Sequence, residues 1–365
     1  MKLYYPPVGI AHIITTISDL FYDRLSDSSS IQIACISQPK TAPHFGTMIV
    51  IFSAFALAQK LKIDFNLKTD VLVDSLENSP ARTIEIDGTN YSLCLSHEII
   101  GRQNLAEINL KPIIEIAKWA SNKTKIDFSI RPYKKIQSQI EFRNGLRKIL
   151  TNPDLFLPML SPSEKKLRIR PICPHCGLVD KEAKTVKYDN FNYPNLISFV
   201  CPNHGIINAY IDNTDDVIDC NTPIRTILRS IGFIAEKNIT GKETIIINGS
   251  DWSGAWMQRV YFDSLSTLGF NGRQIPFNIF TPQITDWSGA KLSKTIYLDK
   301  NAYADIDKAW ISVPDFIDKF GDKGLDIIWG EVSSWFESPK KLFRNYSLDY
   351  IRHLFDETRI DSNNL

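Results

Sequence analysis

Three short stretches carry side chains that could do chemistry together. The first is Ser37-Gln38-Pro39-Lys40-Thr41-Ala42-Pro43-His44-Phe45-Gly46-Thr47. A β-branched apolar run precedes it (Ile31, Ile33, Ala34, Ile36) and a long apolar run follows it (Met48 to Leu57). That pattern predicts strand, loop, helix. In an open α/β sheet a nucleotide sits beside such carboxyl-end loops, and the N-terminus of the following helix offers unpaired N–H groups to phosphate. His44 can donate a hydrogen bond to a phosphate oxygen, and Gly46 lets a purine lie close to the backbone. The second stretch, Gly289-Ala290-Lys291-Leu292-Ser293-Lys294-Thr295, is a polar loop between apolar segments. Its two lysines can neutralise charge that develops on pyrophosphate when the loop closes over a triphosphate. The third, Gly249-Ser250-Asp251, ends an apolar strand at 244–247. A Gly-x-Asp turn there can set a carboxylate on ribose hydroxyls. The competing reading is an N-cap aspartate on the next helix; the company of the other two stretches favours ribose.

A fourth group has metal-ligand spacing. Cys173-Pro174-His175-Cys176-Gly177 and Cys201-Pro202-Asn203-His204-Gly205 are two Cys/His pairs on tight turns. Four soft or borderline donors suit tetrahedral Zn²⁺ in a closed, structural site. The ligands assigned are Cys173, Cys176, Cys201 and His204; His175 competes but sits inside the first turn. Cys35, Cys94 and Cys220 read as small core residues.

The 365 residues are 43% hydrophobic, enough for a large core and more than one domain. A net charge of +1 gives no overall sign of nucleic-acid binding, so any such contact needs a local basic patch. No apolar run approaches the ~20 residues of a membrane span, and the N-terminus lacks the pattern of a signal peptide. Six cysteines, four of them spaced as ligands, fit a reducing cytoplasm.

The elements that must position these groups follow in chain order. Apolar spacing predicts a leading helix over 9–24, a first βα unit (strand 31–37, helix 46–61) and a second strand at 68–73. Asp74 and Glu77 follow that strand; they read as solvated loop acids, with contact to a cationic amino acid as the alternative. A hairpin turns at Asp87-Gly88, with room for a turn longer than two residues. Helices are predicted over 103–121 and 134–150, with an extended segment at 125–130 between them. Arg131, Lys134, Lys135, Arg143, Arg147 and Lys148 form a basic face, read as solvated, with contact to phosphate or a nucleic-acid stem as the alternative. After the zinc insertion a helix opens at Thr222-Pro223, then come strands at 244–247 and 275–280. The remaining residues read as short helices whose aromatics (Trp310, Trp329, Trp335, Phe336) pack onto the main domain. No internal repeat, low-complexity segment or long linker is expected.

The first two stretches, in this order, resemble the paired HIGH and KMSKS signatures of class I aminoacyl-tRNA synthetases. The order of features is most similar to the class I type of lysyl-tRNA synthetase, from the leading helix to about residue 300. The fold implied is α/β: a Rossmann-like, HIGH-signature nucleotide-binding domain (1–165 and 211–300) with an inserted zinc ribbon (166–210) and a short C-terminal helical region resembling stem-contact helices (301–365). The resemblance puts His44, Lys291 and Lys294 in catalysis, with Gly46, Thr47, Gly249, Asp251 and Ser293 around the nucleotide. Thr47 stands where the signature ends in histidine, and no sizeable anticodon-binding domain follows the lysine loop. The function implied is ATP- and Mg²⁺-dependent activation of an amino acid, lysine or a related one, with transfer to a tRNA acceptor stem or another acceptor. A non-catalytic synthetase-like regulator is the alternative. A nucleotidyltransferase of the same fold with a different substrate is a third, weakened by the zinc insertion.

Overall fold

The computed structural model describes residues 14–164, 166–189, 192–292 and 306–362. Strand β1 (Ser30–Ser37) leads through helix α1 (Phe45–Phe65) to β2 (Lys68–Ser75), and α2 (Leu105–Thr124) leads to β3 (Asp127–Pro132). Helices α3 (Ile140–Thr151) and α4 (Thr222–Thr240) precede β4 (Lys242–Gly249) and β5 (Phe277–Thr281); α5 (Val313–Glu337) and α6 (Leu348–Ser362) close the chain. The five strands form one parallel sheet in the order β5-β4-β1-β2-β3. The chain leaves β1 in one direction and returns to β1's other edge as β4, which makes the β1/β4 crevice the topological switch point of a doubly wound sheet.

Alternation along the strands explains why both faces are covered. Ile31, Ile33 and Cys35 of β1, Val71 and Val73 of β2, and Ile245 and Ile247 of β4 enter one core. Ala34, Leu72 and Ile246, one residue out of phase, enter the other. A strand buried on both faces needs such a continuous apolar run. The first core holds α1, α2 and α5. Helix α1 is buried nearly all round, with the sheet beneath it; above, Phe52 stacks on Trp119 of α2 at 5.2 Å and meets Trp329 of α5 edge-on at 5.6 Å. The C-terminal aromatics Trp310, Trp329, Trp335 and Phe336 are all in this core, as their sequence context predicts. Gly321 breaks α5 with φ 55° and ψ −153°, a conformation open essentially to glycine alone.

The second core holds α3, α4 and the region of the paired Cys/His turns. A three-stranded antiparallel ribbon runs through Lys187–Tyr188, Leu196–Cys201 and Gly205–Tyr210. Leu178–Asp180 adds a third strand to the hairpin of Pro80–Ile86 and Thr89–Cys94. That hairpin turns in two residues: Ile86 pairs with Thr89, and Asp87 and Gly88 have φ of 49° and 70°, as a type I′ turn requires.

Three sequence expectations change. The described part of the leading helix is only a 3₁₀ turn at Ile17–Leu20 and a short helix at Tyr22–Leu25; residues 9–13 lie outside the described residues. The helix expected over 134–150 is broken into Tyr133–Gln137 and α3. At the break Gln139 is extended (φ −65°, ψ 135°), and the buried Arg143 caps the end of the first helix, its Nε donating to the Gln137 carbonyl at 2.6 Å. The acids at the end of β2 and just beyond it are neither solvated nor free. Asp74 is fully buried, accepts from Arg131 Nε and Nη2 at 2.7 and 3.0 Å, and is also paired with Arg229 of α4. Both guanidiniums lie over the Phe233 ring, at 5.0 and 4.8 Å. Glu77 accepts from the Tyr133 and Lys134 backbone N–H groups at 2.7 and 2.9 Å, capping the short helix.

Asp74 therefore ties β2, β3 and α4 together at the carboxyl edge of the sheet. Removing a carboxylate that neutralises the buried Arg229 and the partly buried Arg131 leaves charge unpaired at a site largely closed to water. Asp74→Ala is expected to cost about 3–5 kcal/mol, read as a lower urea midpoint at unchanged slope; a loss below about 1 kcal/mol would deny the cluster its structural role.

Candidate functional site

The histidine loop is held from two sides. His44 is the N-cap of α1, extended at φ −86° and ψ 166°, and its side chain makes no capping hydrogen bond. Its backbone pairs with Ser312 in an isolated antiparallel bridge. Phe45 N donates to Ile311 O at 3.0 Å and Val313 N donates to Pro43 O at 2.9 Å. The Phe45 ring then packs edge-on against Trp310 and Phe316. Within the first turn of α1, the Gly46 N–H has no partner among the described residues, whereas Thr47 N is tied to His44 O at 2.8 Å. A side chain at Gly46 would put its Cβ 2.8 Å from His44 Cε1. The imidazole thus lies over the glycine, beside an open backbone donor. An open N–H at a helix N-terminus next to a donor-bearing ring is a place for phosphate.

Across the switch point, β4 ends at Gly249 and the chain makes a 3₁₀ turn, Ser250–Trp252. A Cβ on Gly249 would stand 2.5 Å from Asp251 Oδ1, so the glycine makes room for the carboxylate. Asp251 is not an N-cap: Gly249 caps the turn, and Ala255 precedes the following helical segment, Trp256–Phe262, which has π geometry. What Asp251 Oδ2 holds is Lys291 Nζ, at 2.6 Å, with side chains 33% and 43% exposed. The lysine is delivered by a loop built on Asp286, which is 7% exposed and whose Oδ1 accepts from Ser288 N, Ser288 Oγ and Ala290 N at 2.9, 2.7 and 3.1 Å. Gly289 takes φ 81°, and Lys291 pairs with Thr285 at the loop's base. Ser293 and Lys294, and Thr295 after them, lie outside the described residues.

The loops after β4 and β5 contain the same five residues, Asp251-Trp252-Ser253-Gly254-Ala255 and Asp286-Trp287-Ser288-Gly289-Ala290. The expectation of a chain without internal repeats is corrected by this pair. Hydropathy patterning misses it because five residues are too few to set a period, whereas aligning the chain with itself finds it. The copies do different work: the first aspartate takes the lysine, and the second folds the loop that carries it. Both glycines have positive φ, 71° and 81°, but Trp252 packs on Trp256 at 4.7 Å while Trp287 is 79% exposed.

The metal-spaced residues come together. One ligand atom each from Cys173, Cys176, Cys201 and His204 lies within 4.8 Å of the others. Cys176 Sγ is 3.6 Å from Cys201 Sγ, and His204 Nδ1 is 3.5 and 3.7 Å from the sulfurs of Cys173 and Cys201. Sulfur ligands at tetrahedral zinc stand about 3.8 Å apart, with Zn–S bonds of about 2.3 Å, so the donors fit that ion. His175 is exposed and only stacks its ring on His204, at 5.0 Å. The first turn closes with Gly177 at φ 70°, where the His97 ring occupies the place of a Cβ. Among the described residues this is the one His/Cys/Asp/Glu cluster suited to a metal. The other thiols are core residues: burial pushes Cys35 and Cys220 up to about 12, and raises Cys94 as well.

Half of the basic face is consumed internally. Arg131 serves Asp74, Arg143 is buried against backbone carbonyls, and Arg147 pairs with Asp212. Lys134, Lys135 and Lys148 are exposed.

No family model matches the chain, and no curated protein does. Solved structures similar to it include an arginyl-tRNA synthetase from Campylobacter jejuni, 12% identical, with a TM-score of 0.33, covering 86% of this chain and 67% of that one. They also include methionyl-tRNA synthetase from Mycobacterium tuberculosis bound by methionyl-adenylate, 10% identical, with a TM-score of 0.43, covering 90% of this chain and 68% of that one. Among the described residues no helix is long and apolar enough to cross a membrane.

Purified without chelator, the chain is expected to carry about one equivalent of Zn²⁺ by elemental analysis. Cys176→Ser should lower that content and the melting temperature together. Full occupancy in the variant would refute the ligand set.

Proposed function

We propose that this chain activates an amino acid with ATP, forming an aminoacyl-adenylate and pyrophosphate, and then passes the acyl group to a tRNA acceptor end or to another acceptor. The observation that carries the reading is the Lys291–Asp251 pair at 2.6 Å. It joins the lysine loop to the Gly-x-Asp turn beside the switch point, where an α/β sheet takes a nucleotide. The histidine loop stands on the adjoining strand, β1.

The roles follow from charge and position. The substrate carboxylate attacks the α-phosphorus in line, and the bond to the bridging oxygen of pyrophosphate breaks. No protein nucleophile is needed, so the chain's contribution is positioning and stabilisation of developing negative charge. His44 and the Gly46 N–H are the donors toward phosphate. Asp251 takes the ribose hydroxyls, and Lys291 moves from Asp251 to pyrophosphate oxygen as the nucleotide arrives. Lys294 and Ser293 belong to the same loop and are proposed to add a second positive charge and a hydroxyl. Mg²⁺ would come with the triphosphate and shield its charge, as that ion prefers substrate phosphates to an all-protein cage. Lysine as the amino acid, and the cytoplasm as the compartment, rest on the resemblance and the cysteine usage alone.

A second reading is a synthetase-like protein that binds nucleotide or amino acid without turning it over. Thr47 in place of the signature histidine favours it.

The test is amino-acid-dependent ATP–pyrophosphate exchange over the standard amino acids plus ornithine and β-lysine, with and without tRNA. Exchange with one amino acid is expected. His44→Ala and Lys291→Ala should each lower it by about 10²–10³. Asp251→Ala should act mainly on KM for ATP, by about tenfold. ATP binding without any exchange would move the assignment to the second reading, and exchange indifferent to His44→Ala would overturn the role of the histidine loop.

A further inference from the structure

The loop that carries Lys291 is a short hairpin with a fixed tip. Its first arm, Ile284–Thr285, pairs in parallel with Tyr346–Ser347, and Tyr346 N donates to Gln283 O at 2.9 Å. The chain then folds back on itself. Asp286 N donates to Ala290 O at 2.8 Å, Gly289 N to Asp286 O at 3.0 Å, and Leu292 N to Ile284 O at 2.9 Å. Trp287, Ser288 and Gly289 form the tip, a three-residue hairpin loop closed by a glycine at φ 81°. The buried Asp286 carboxylate ties the tip down from within.

Alternation sorts the hairpin's side chains. Ile284, Asp286 and Leu292 are buried, whereas Thr285 and Lys291 pair across the hairpin and share its other face. Trp287, the next residue after Asp286, stands in solvent. At 79% exposure it is the most exposed aromatic side chain among the described residues. Among those residues its ring stacks on no other ring, and its Nε1–H donates to no acceptor.

The second observation is the other copy of the same pentapeptide. There Trp252 packs edge-on against Trp256 at 4.7 Å and is only partly exposed. The copy after β5 holds its ring out on a turn that is fully hydrogen-bonded. An indole kept in water by a fixed turn forgoes apolar burial that a ligand can supply. The lysine of the same hairpin indicates what that ligand carries. An exposed aromatic ring together with a cation is the combination that takes a nucleobase and its phosphate. Lys291 already reaches Asp251 in the turn after β4, so this hairpin adjoins the switch point.

We propose that Trp287 is a stacking platform for a nucleobase at this site, with Lys291 of the same hairpin meeting phosphate. The inference rests on the adenylation reading, which brings a nucleotide here. The base has two possible sources, the adenine of ATP and the unpaired terminal base of an RNA acceptor.

Isothermal titration calorimetry on the full chain tests the proposal, with Mg²⁺–ATP and a short single-stranded RNA ending in CCA as ligands. Tripolyphosphate, which has no base, is the control. Trp287→Ala is expected to weaken binding of a base-bearing ligand about tenfold and to leave tripolyphosphate unaffected. Trp287→Phe should retain most of the affinity, because a smaller ring still stacks. A loss for ATP identifies adenine as the base, and a loss for the RNA identifies its terminal base. Equal affinity of wild type and Trp287→Ala for both ligands would overturn the stacking role and leave the adenylation reading standing. A loss that Trp287→Phe does not restore, or that extends to tripolyphosphate, would overturn it too. Failure of the wild type to bind ATP at all would remove the adenylation reading and this inference with it.

Discussion

The candidate site depends on a main-chain clamp between residues far apart in the sequence. Phe45 N donates to Ile311 O, and Val313 N donates to Pro43 O. Each bond closes an orphan at a helix start, since Phe45 opens α1 and Val313 opens α5. The two helix N-termini are therefore fixed against each other, and the imidazole of His44 is placed over Gly46. Packing reinforces the clamp: Phe45 contacts Trp310 and Phe316, and the same aromatic cluster extends through Phe320 to Phe355 of α6. The C-terminal helices thus do more than cover the sheet. They hold the loop that the proposed chemistry needs.

Charge is arranged on the carboxyl edge of the sheet in two different ways. At β2, Asp74 is buried and saturated by Arg131 and Arg229, so it can serve only as a tie between elements. At β4, Asp251 is a third exposed and holds a single lysine from a surface loop. An exposed pair of that kind contributes little to stability and can be exchanged for another partner at small cost. The same residue type is fixed in one place and available in the other because of burial, not because of its neighbours in sequence. Glu77 is intermediate: it is bound to two backbone N–H groups yet still faces a cavity.

Much of this is legible in the sequence. Continuous apolar runs mark β1, β2 and β4, and the long apolar stretch after His44 marks α1, because a strand or helix covered on both sides must be apolar throughout. Paired Cys/His turns name four residues that the fold brings within 4.8 Å. The length of the helix after Arg131 is not legible. At its break Gln139 leaves the helical region and Arg143 reaches to the Gln137 and Asp216 carbonyls, the second a tertiary contact with no signature in local propensity.

The sequence by itself determined which residues stand at the carboxyl ends of the strands, since strand ends are local events set by pattern and turn chemistry. It also determined which four side chains form the Cys/His cluster, because tight turns preorganise their donors. Only the tertiary structure decided what each charged side chain does. Asp74 and Asp251 both follow apolar strands and read alike in the chain. One is enclosed by guanidiniums from β3 and α4, and the other looks across the switch point to Lys291. Electrostatic energy depends on distance and on exclusion of water, and both are fixed by packing between elements that the chain order keeps far apart.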